Sequence, residues 1–201
     1  MASRYQAAGR FAAAVCAVGA LAFTALPASA QPQGAQAASA DSHGALASYK
    51  GKKIDLSEGW QGAQACAVFS PDDIRCYSTH EAAEKATGYN RATDPLARKA
   101  ANGSDVNVTA SLPCANDWLC LYQFEDGEGR RLLFSDNYWM NLDQYDFDNR
   151  TSSWRNNQGD HDWAYLARYK DGGGWNLTLH PESQSSAMGN DYDNKASSVQ
   201  G

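Results

Sequence analysis

Two six-residue stretches place oxygen donors close together: DNRTSS at residues 148–153 and DNKASS at residues 193–198. Each offers a carboxylate, a side-chain amide and hydroxyls, and the irregular backbone between them can turn a carbonyl inward. Hard cations such as calcium take six to eight oxygens at flexible angles, so this donor chemistry suits calcium. The competing use of the same residues is structural. Asp and Asn cap turns, and paired Ser hydroxyls satisfy backbone groups with no ion present.

The two stretches are a duplicated device. Shifting the chain by 45 residues aligns 118–153 with 163–198 without a gap, and 11 of 36 positions are identical. They include Trp118 with Trp163, Leu121 with Leu166, Asp126 with Asp171, Gly127 with Gly172 and Gly129 with Gly174. Ordinary amino-acid usage gives roughly two or three, so this is an internal repeat. Each copy runs an apolar strand (WLCLYQF, WAYLARY) into a Gly and Asp turn (EDGEG, KDGGG) and then a second strand (RRLLF, WNLTLH). A longer irregular stretch leads to the hexapeptide and a last strand, TSSWRN or ASSVQ. Strand, tight hairpin, strand, long connection, strand is the order of a Greek key. Two keys in tandem predict a small antiparallel sandwich over 113–201, with keys at 113–157 and 158–201.

The elements ahead of the repeat are of other kinds. Arg4 and Arg10, an apolar run over 11–26 and an Ala-x-Ala site ending at Ala30 read as a secretory signal peptide over 1–30. Residues 31–48, rich in Ala, Gln and Ser, read as a flexible lead. Over 49–89, KKIDLS, ACAVF and IRCYS predict short strands, and THEAAEKAT predicts a helix capped by Ser78 or Thr79. Residues 90–112 show no sustained period and read as a linker. Past the signal, Cys66, Cys76, Cys114 and Cys120 remain, an even number in an exported chain. Three pairings are open, and short loops favour Cys66 with Cys76 and Cys114 with Cys120. The first would staple the unit at 49–89.

Composition excludes several functions. The chain has 17 Lys and Arg against 23 Asp and Glu, and losing Arg4 and Arg10 leaves 15 basic groups, a formal charge of minus eight. That is no footprint for nucleic acid. Nothing after the signal is long and apolar enough for a membrane span. No Cys-x-x-Cys occurs, and His43, His80, His161 and His180 are scattered singly. Neither a Ser-His-Asp order, an H-E-x-x-H nor a phosphate-binding loop is present, so the chain reads as a non-enzyme. Trp118, Trp139, Trp154 and Trp163 could form an exposed sugar-binding row. At repeat-equivalent strand positions, however, Trp118 and Trp163 read as core.

With Tyr122 and Gly129 opening the first key and both hexapeptides fitting [ND][ND]xx[ST]S, residues 113–201 resemble the βγ-crystallin superfamily. The fold implied is all-β: a βγ-crystallin-like sandwich of two tandem Greek keys, here preceded by the small disulfide-stapled unit. In its calcium-binding members, one hexapeptide's carbonyl and acidic side chains join the hydroxyl of the other. That carries over to Asp148, Asn149, the Arg150 carbonyl and Ser152, with Asp193, Asn194, the Lys195 carbonyl and Ser197. Arg150 and Lys195 bring positive charge there, so any affinity is weak, ~10⁻⁵ to 10⁻³ M. Ser153 and Ser198 are expected to hold the turn.

More narrowly, 114–157, running from CANDWLCLY through GRRLLFSDN to SSWRNN, resembles the secreted actinobacterial peptidase inhibitors of family I36. The family's prototype is a Streptomyces metalloproteinase inhibitor. The resemblance implies a secreted monomer that inhibits a metalloprotease through a rigid loop, with residues 137–146 or their counterpart 181–191 as candidates. The prototype braces that loop with a second disulfide, and no Cys follows Cys120 here. The alternative is a calcium-binding extracellular module without a protease target.

Overall fold

The computed structural model describes residues 44–102 and 111–201, all within one compact unit. The signal peptide, the lead up to His43 and residues 103–110 of the expected linker lie outside the described residues. Twelve strands form among the described residues. They are β1 (Leu46–Tyr49), β2 (Lys52–Asp55), β3 (Ala65–Ser70), β4 (Asp73–Tyr77), β5 (Leu119–Tyr122), β6 (Arg131–Phe134), β7 (Met140–Asn141), β8 (Ser153–Asn156), β9 (Ala164–Ala167), β10 (Asn176–Leu179), β11 (Ser183–Ser185) and β12 (Ser198–Gln200). Two short α-helices, α1 (His80–Thr87) and α2 (Pro95–Ala101), and four short 3-10 helices complete the set.

The repeat is visible in the strands. Adding 45 carries β5 onto β9 and β6 onto β10 residue for residue. Each key keeps three strands in its own sheet and lends its third strand to the other. β7 pairs with β12 of the second key, and β11 pairs with β8 of the first. The result is one sheet in the order β10-β9-β12-β7 and another containing β11-β8-β5-β6. Exchanged third strands join the two Greek keys into one sandwich, the all-β architecture expected from the repeat.

The second sheet does not stop at β6. β3 runs parallel beside β6, in register from Ala65 with Arg131 to Val68 with Phe134, and β4, β1 and β2 follow to make eight strands. Residues 49–89, expected as a unit of their own, therefore share a sheet with the first key. An unpaired β6 would expose a row of backbone donors and acceptors, and β3 covers that edge. Strand β1 begins inside the stretch read as lead, and α2 lies inside the stretch read as linker. Helix α1 forms where predicted, with the Thr79 hydroxyl accepting from the Ala82 amide and Gly88 left-handed beyond its end.

Alternation sorts the side chains of the long sheet onto two cores. Leu119, Leu121, Leu132, Phe134, Cys66 and Val68 face the core between the sheets. Cys120, Tyr122, Leu133, Ala65 and Ala67 face an outer core closed by α1 and the segment around Leu112 and Trp118. Every residue of β5 and β6 is buried because both faces are covered. The two expected disulfides are formed, Cys66–Cys76 across β3 and β4 and Cys114–Cys120 on the outer face.

Candidate functional site

Each key opens with the same turn. Asp126 and Asp171 are left-handed, at φ 55° and 53°, followed by Gly127 and Gly172 at 77° and 76°. A side chain at Gly172 would run into the Trp139 indole, 2.5 Å from where its Cβ would sit, so that turn needs Gly on two counts. The last serine of each hexapeptide ties the turn down. The Ser153 hydroxyl donates to the Phe124 carbonyl at 2.6 Å and accepts from the Gly127 amide at 3.1 Å. Ser198 does the same to Tyr169 and Gly172 at the same distances. These hydroxyls are spent on structure, as anticipated.

The hexapeptides then lie against each other. The Asn149 amide donates to the Ala196 carbonyl, and the Asn194 amide to the Thr151 carbonyl, both at 2.9 Å. Asn149 and Asn194 share φ 53°, a left-handed geometry that Asn tolerates. Each turns its own amide onto the preceding carboxylate, Asn149 to Asp148 Oδ2 at 2.8 Å and Asn194 to Asp193 Oδ2 at 2.9 Å. Ser152 bridges the pair by donating to Asn194 Oδ1 at 3.3 Å. The structure thus brings the two predicted donor sets together around a local twofold relation.

Two features bear on a cation there. Asp148 Oδ1 and Asp193 Oδ1 are both buried with no hydrogen-bond partner, and such carboxylate oxygens favour a positive partner. Second, protein cations lie at one predicted donor and at an acidic neighbour of the first hexapeptide. The Lys195 carbonyl accepts from Arg168 Nη1 at 3.0 Å. The Lys170 ammonium is 2.6 Å from Asp143 Oδ2. Its pKa is raised chiefly by that hydrogen bond and then by the charge of Asp143, with Asp148 and Asp171 adding to it. The Arg150 and Lys195 side chains, expected to repel a metal, point elsewhere: Arg150 to Asp146 at 3.1 Å and Lys195 to the Asn190 carbonyl at 2.5 Å. Arg168 and Lys170 went unnoticed in the sequence, although aligning QFE at 123–125 with RYK at 168–170 shows them. Among the described residues no three His, Cys, Asp or Glu side chains gather as a metal cage. The hexapeptides fit calcium in their orphaned oxygens and depart from it in these cations.

The candidate contact loops are shorter than their sequence limits. In 137–146, Met140, Leu142 and Tyr145 are buried, and the Tyr145 carbonyl accepts from the Trp60 indole at 2.7 Å. What projects is the tip before β7, with Asn137 and Tyr138 exposed. Ser135 anchors its base to β3 through hydrogen bonds to the Val68 and Phe69 carbonyls at 3.2 and 3.4 Å. In 181–191, Ser183–Ser185 is strand β11, paired with β8. The tryptophans divide: Trp118 is buried, whereas Trp163 is 42% exposed beside His180. Trp163 is therefore not core, unlike its repeat counterpart.

Fold and site define a two-key sandwich with paired hexapeptides. Residues 107–170 match the model of Peptidase inhibitor family I36. Similar solved structures include a βγ-crystallin domain from Clostridium beijerinckii, in a double mutant, with 20% identity over 41% of this chain and 93% of that one (TM-score 0.36). A βγ-crystallin domain from Flavobacterium johnsoniae shares 21% identity over 41% of this chain and 90% of that one (TM-score 0.36). A βγ-crystallin from Ciona intestinalis shares 18% over 41% and 96% (TM-score 0.34). No curated protein matches the chain.

Proposed function

We propose that this protein is an exported, non-enzymatic peptidase inhibitor, directed at a metalloprotease and working as a monomer from a βγ-crystallin scaffold. The observation that carries the reading is the family match over 107–170, which takes in the whole first key. The tip at Asn137 and Tyr138 is the contact loop, and Tyr138, 41% exposed, is the side chain offered to the protease cleft. A loop that is ordered before binding loses less entropy on docking. Here the bracing comes from β3, through Ser135, and β3 is itself stapled to β4 by Cys66–Cys76. The N-terminal strands thus stand in for a disulfide in the loop. No helix among the described residues is long and apolar enough to cross a membrane, which is compatible with export.

The test is a titration of thermolysin-like metalloproteases with the mature protein. Inhibition at micromolar concentration or below is expected, and Tyr138→Ala should weaken it by about 30-fold or more, as removal of a central aromatic anchor does. Unchanged protease activity at micromolar protein removes the reading. A second reading, favoured by the orphaned oxygens of Asp148 and Asp193, is a calcium-holding extracellular module. Its ligands would be the side chains of Asp148, Asn149, Ser152, Asp193, Asn194 and Ser197 with the Arg150 and Lys195 carbonyls. A native-state ligand must raise the melting midpoint, so a midpoint unmoved between calcium and chelator counts against it.

A further inference from the structure

The repeat gives the two hexapeptides the same backbone, but the hairpins around them differ in charge. The first hairpin carries Gln123, Phe124 and Glu125, and the second carries Arg168, Tyr169 and Lys170 at the equivalent positions. Their turns superpose in φ and in the serine hydrogen bonds that hold them, so the difference is one of charge at fixed geometry.

One cation of the second hairpin reaches a donor that a metal would use, and the other reaches a carboxylate just ahead of the first hexapeptide. Arg168 Nη1 occupies the Lys195 carbonyl at 3.0 Å. Lys170 is anchored on Asp143 Oδ2 at 2.6 Å. Asp143 Oδ1 and Asp148 Oδ1 are both buried and lack hydrogen-bond partners. The ammonium beside Asp143 offsets a desolvation cost that would otherwise go uncompensated there. A calcium ion taking the Lys195 carbonyl meets the Arg168 guanidinium already on that oxygen, and like charges so close repel even when partly screened.

We propose that Arg168, on the Lys195 carbonyl, and Lys170, on neighbouring Asp143, are resident cations of this face, holding the paired hexapeptides closed without metal, with Arg168 a built-in competitor that calcium must displace. The inference rests on the calcium reading only in taking these oxygens as the relevant donors. It assigns the weakness of the site to the second hairpin, whereas Arg150 and Lys195, the cations within the hexapeptides, are directed to Asp146 and Asn190.

The test gives the second hairpin the first hairpin's residues. Calcium affinity by calorimetry and melting midpoints in calcium and in chelator are measured for the mature protein and for Arg168→Gln/Lys170→Glu. Arg168→Gln/Lys170→Met is a second variant that adds no carboxylate, in case the first fails to fold. The variants should bind calcium at least tenfold more tightly than the parent. Their midpoints should drop by about 2–4 °C in chelator and recover in calcium. Binding by the variants where the parent binds none upholds the inference while removing the calcium reading for the native protein. Equal affinity in parent and variants overturns the inference and leaves the calcium reading standing. Absence of binding in all of them at 10 mM calcium, about tenfold above the weak extracellular range, overturns both.

Discussion

The two Greek keys share a backbone plan and differ in what surrounds them. The first key's sheet is covered on both faces and continued at its edge by β3, and its strands β5 and β6 are buried throughout. The second key's β10 is exposed or half-buried except at Leu179. Equivalent residues accordingly have different fates. Trp118 is buried and Trp163 exposed; Arg155 is wholly buried, while its counterpart Gln200 is half-buried. Repetition of sequence therefore fixes local geometry, and the additions around each copy decide what a residue contributes to stability.

The largest effect that can test this contrast sits at Arg155. It lies on the outer face of β8 and pairs with Asp94 at 3.0 Å, both side chains having no exposure. Burial pushes the Arg155 pKa down, and Asp94 opposes that shift. Asp94 also accepts from the Leu96 and Ala97 amides, capping α2, and from the Ser111 hydroxyl. One carboxylate thus pins the expected linker to the first key. Arg155→Ala leaves the Asp94 carboxylate buried without its counter-charge, a change that costs about 3–5 kcal/mol. Gln200→Ala, at the equivalent position, should stay within about 0.5 kcal/mol. Urea denaturation of both variants checks the pair, and equal losses would mean that the outer layer is not what distinguishes the keys.

The tryptophans give a somewhat smaller contrast. Trp118 meets Phe69 edge-on, with ring centroids 5.0 Å apart, inside the outer core. Trp118→Ala should cost about 3–5 kcal/mol, as other buried Trp truncations do. For Trp163→Ala the expected loss is below about 1 kcal/mol, since the ring stands at the surface beside His180. Melting midpoints of the two variants report the difference directly.

Much of the sandwich was legible because its signals are local. Apolar runs marked β5 and β9, the strands after the Gly and Asp turns marked β6 and β10, and the constant offset marked the hexapeptides as partners. The pairing of β3 with β6 was not legible, because parallel strands joined by a long crossover have no turn signature between them. Helix α2 carries only a short local signal, Asp94 as cap with Pro95 in the first turn. That segment lacks the apolar stripe by which a helix is normally found. At the hexapeptides the donors are readable in the motif itself, whereas Arg168 and Lys170 stand out only when the two hairpins are aligned. Arg168 lies 27 residues from Lys195, and Lys170 lies 27 residues from Asp143, so neither belongs to the motif that draws the eye. The candidate loops were drawn too long for a related reason. Nothing in 137–146 announces that Trp60, 85 residues away, buries its far end.

The smallest effect concerns acid, and it arises in the layer that only the first key has. His80 opens α1 on the outer face, with Nε2 buried and unpartnered. Its pKa lies below the ordinary value of 6.5, first because burial disfavours the charged ring and then because Arg131 repels it. The depressed value means that, between it and 6.5, the unfolded chain binds more protons than the folded one. Stability therefore rises with pH across that window, and the advantage is lost as pH falls below 6.5. His80→Gln should flatten the slope of unfolding free energy against pH in that window, with a change well under that of the Arg155 or Trp118 variants. Denaturation at several pH values measures it. A slope unchanged in His80→Gln would move the acid sensitivity to some group outside the first key's outer layer.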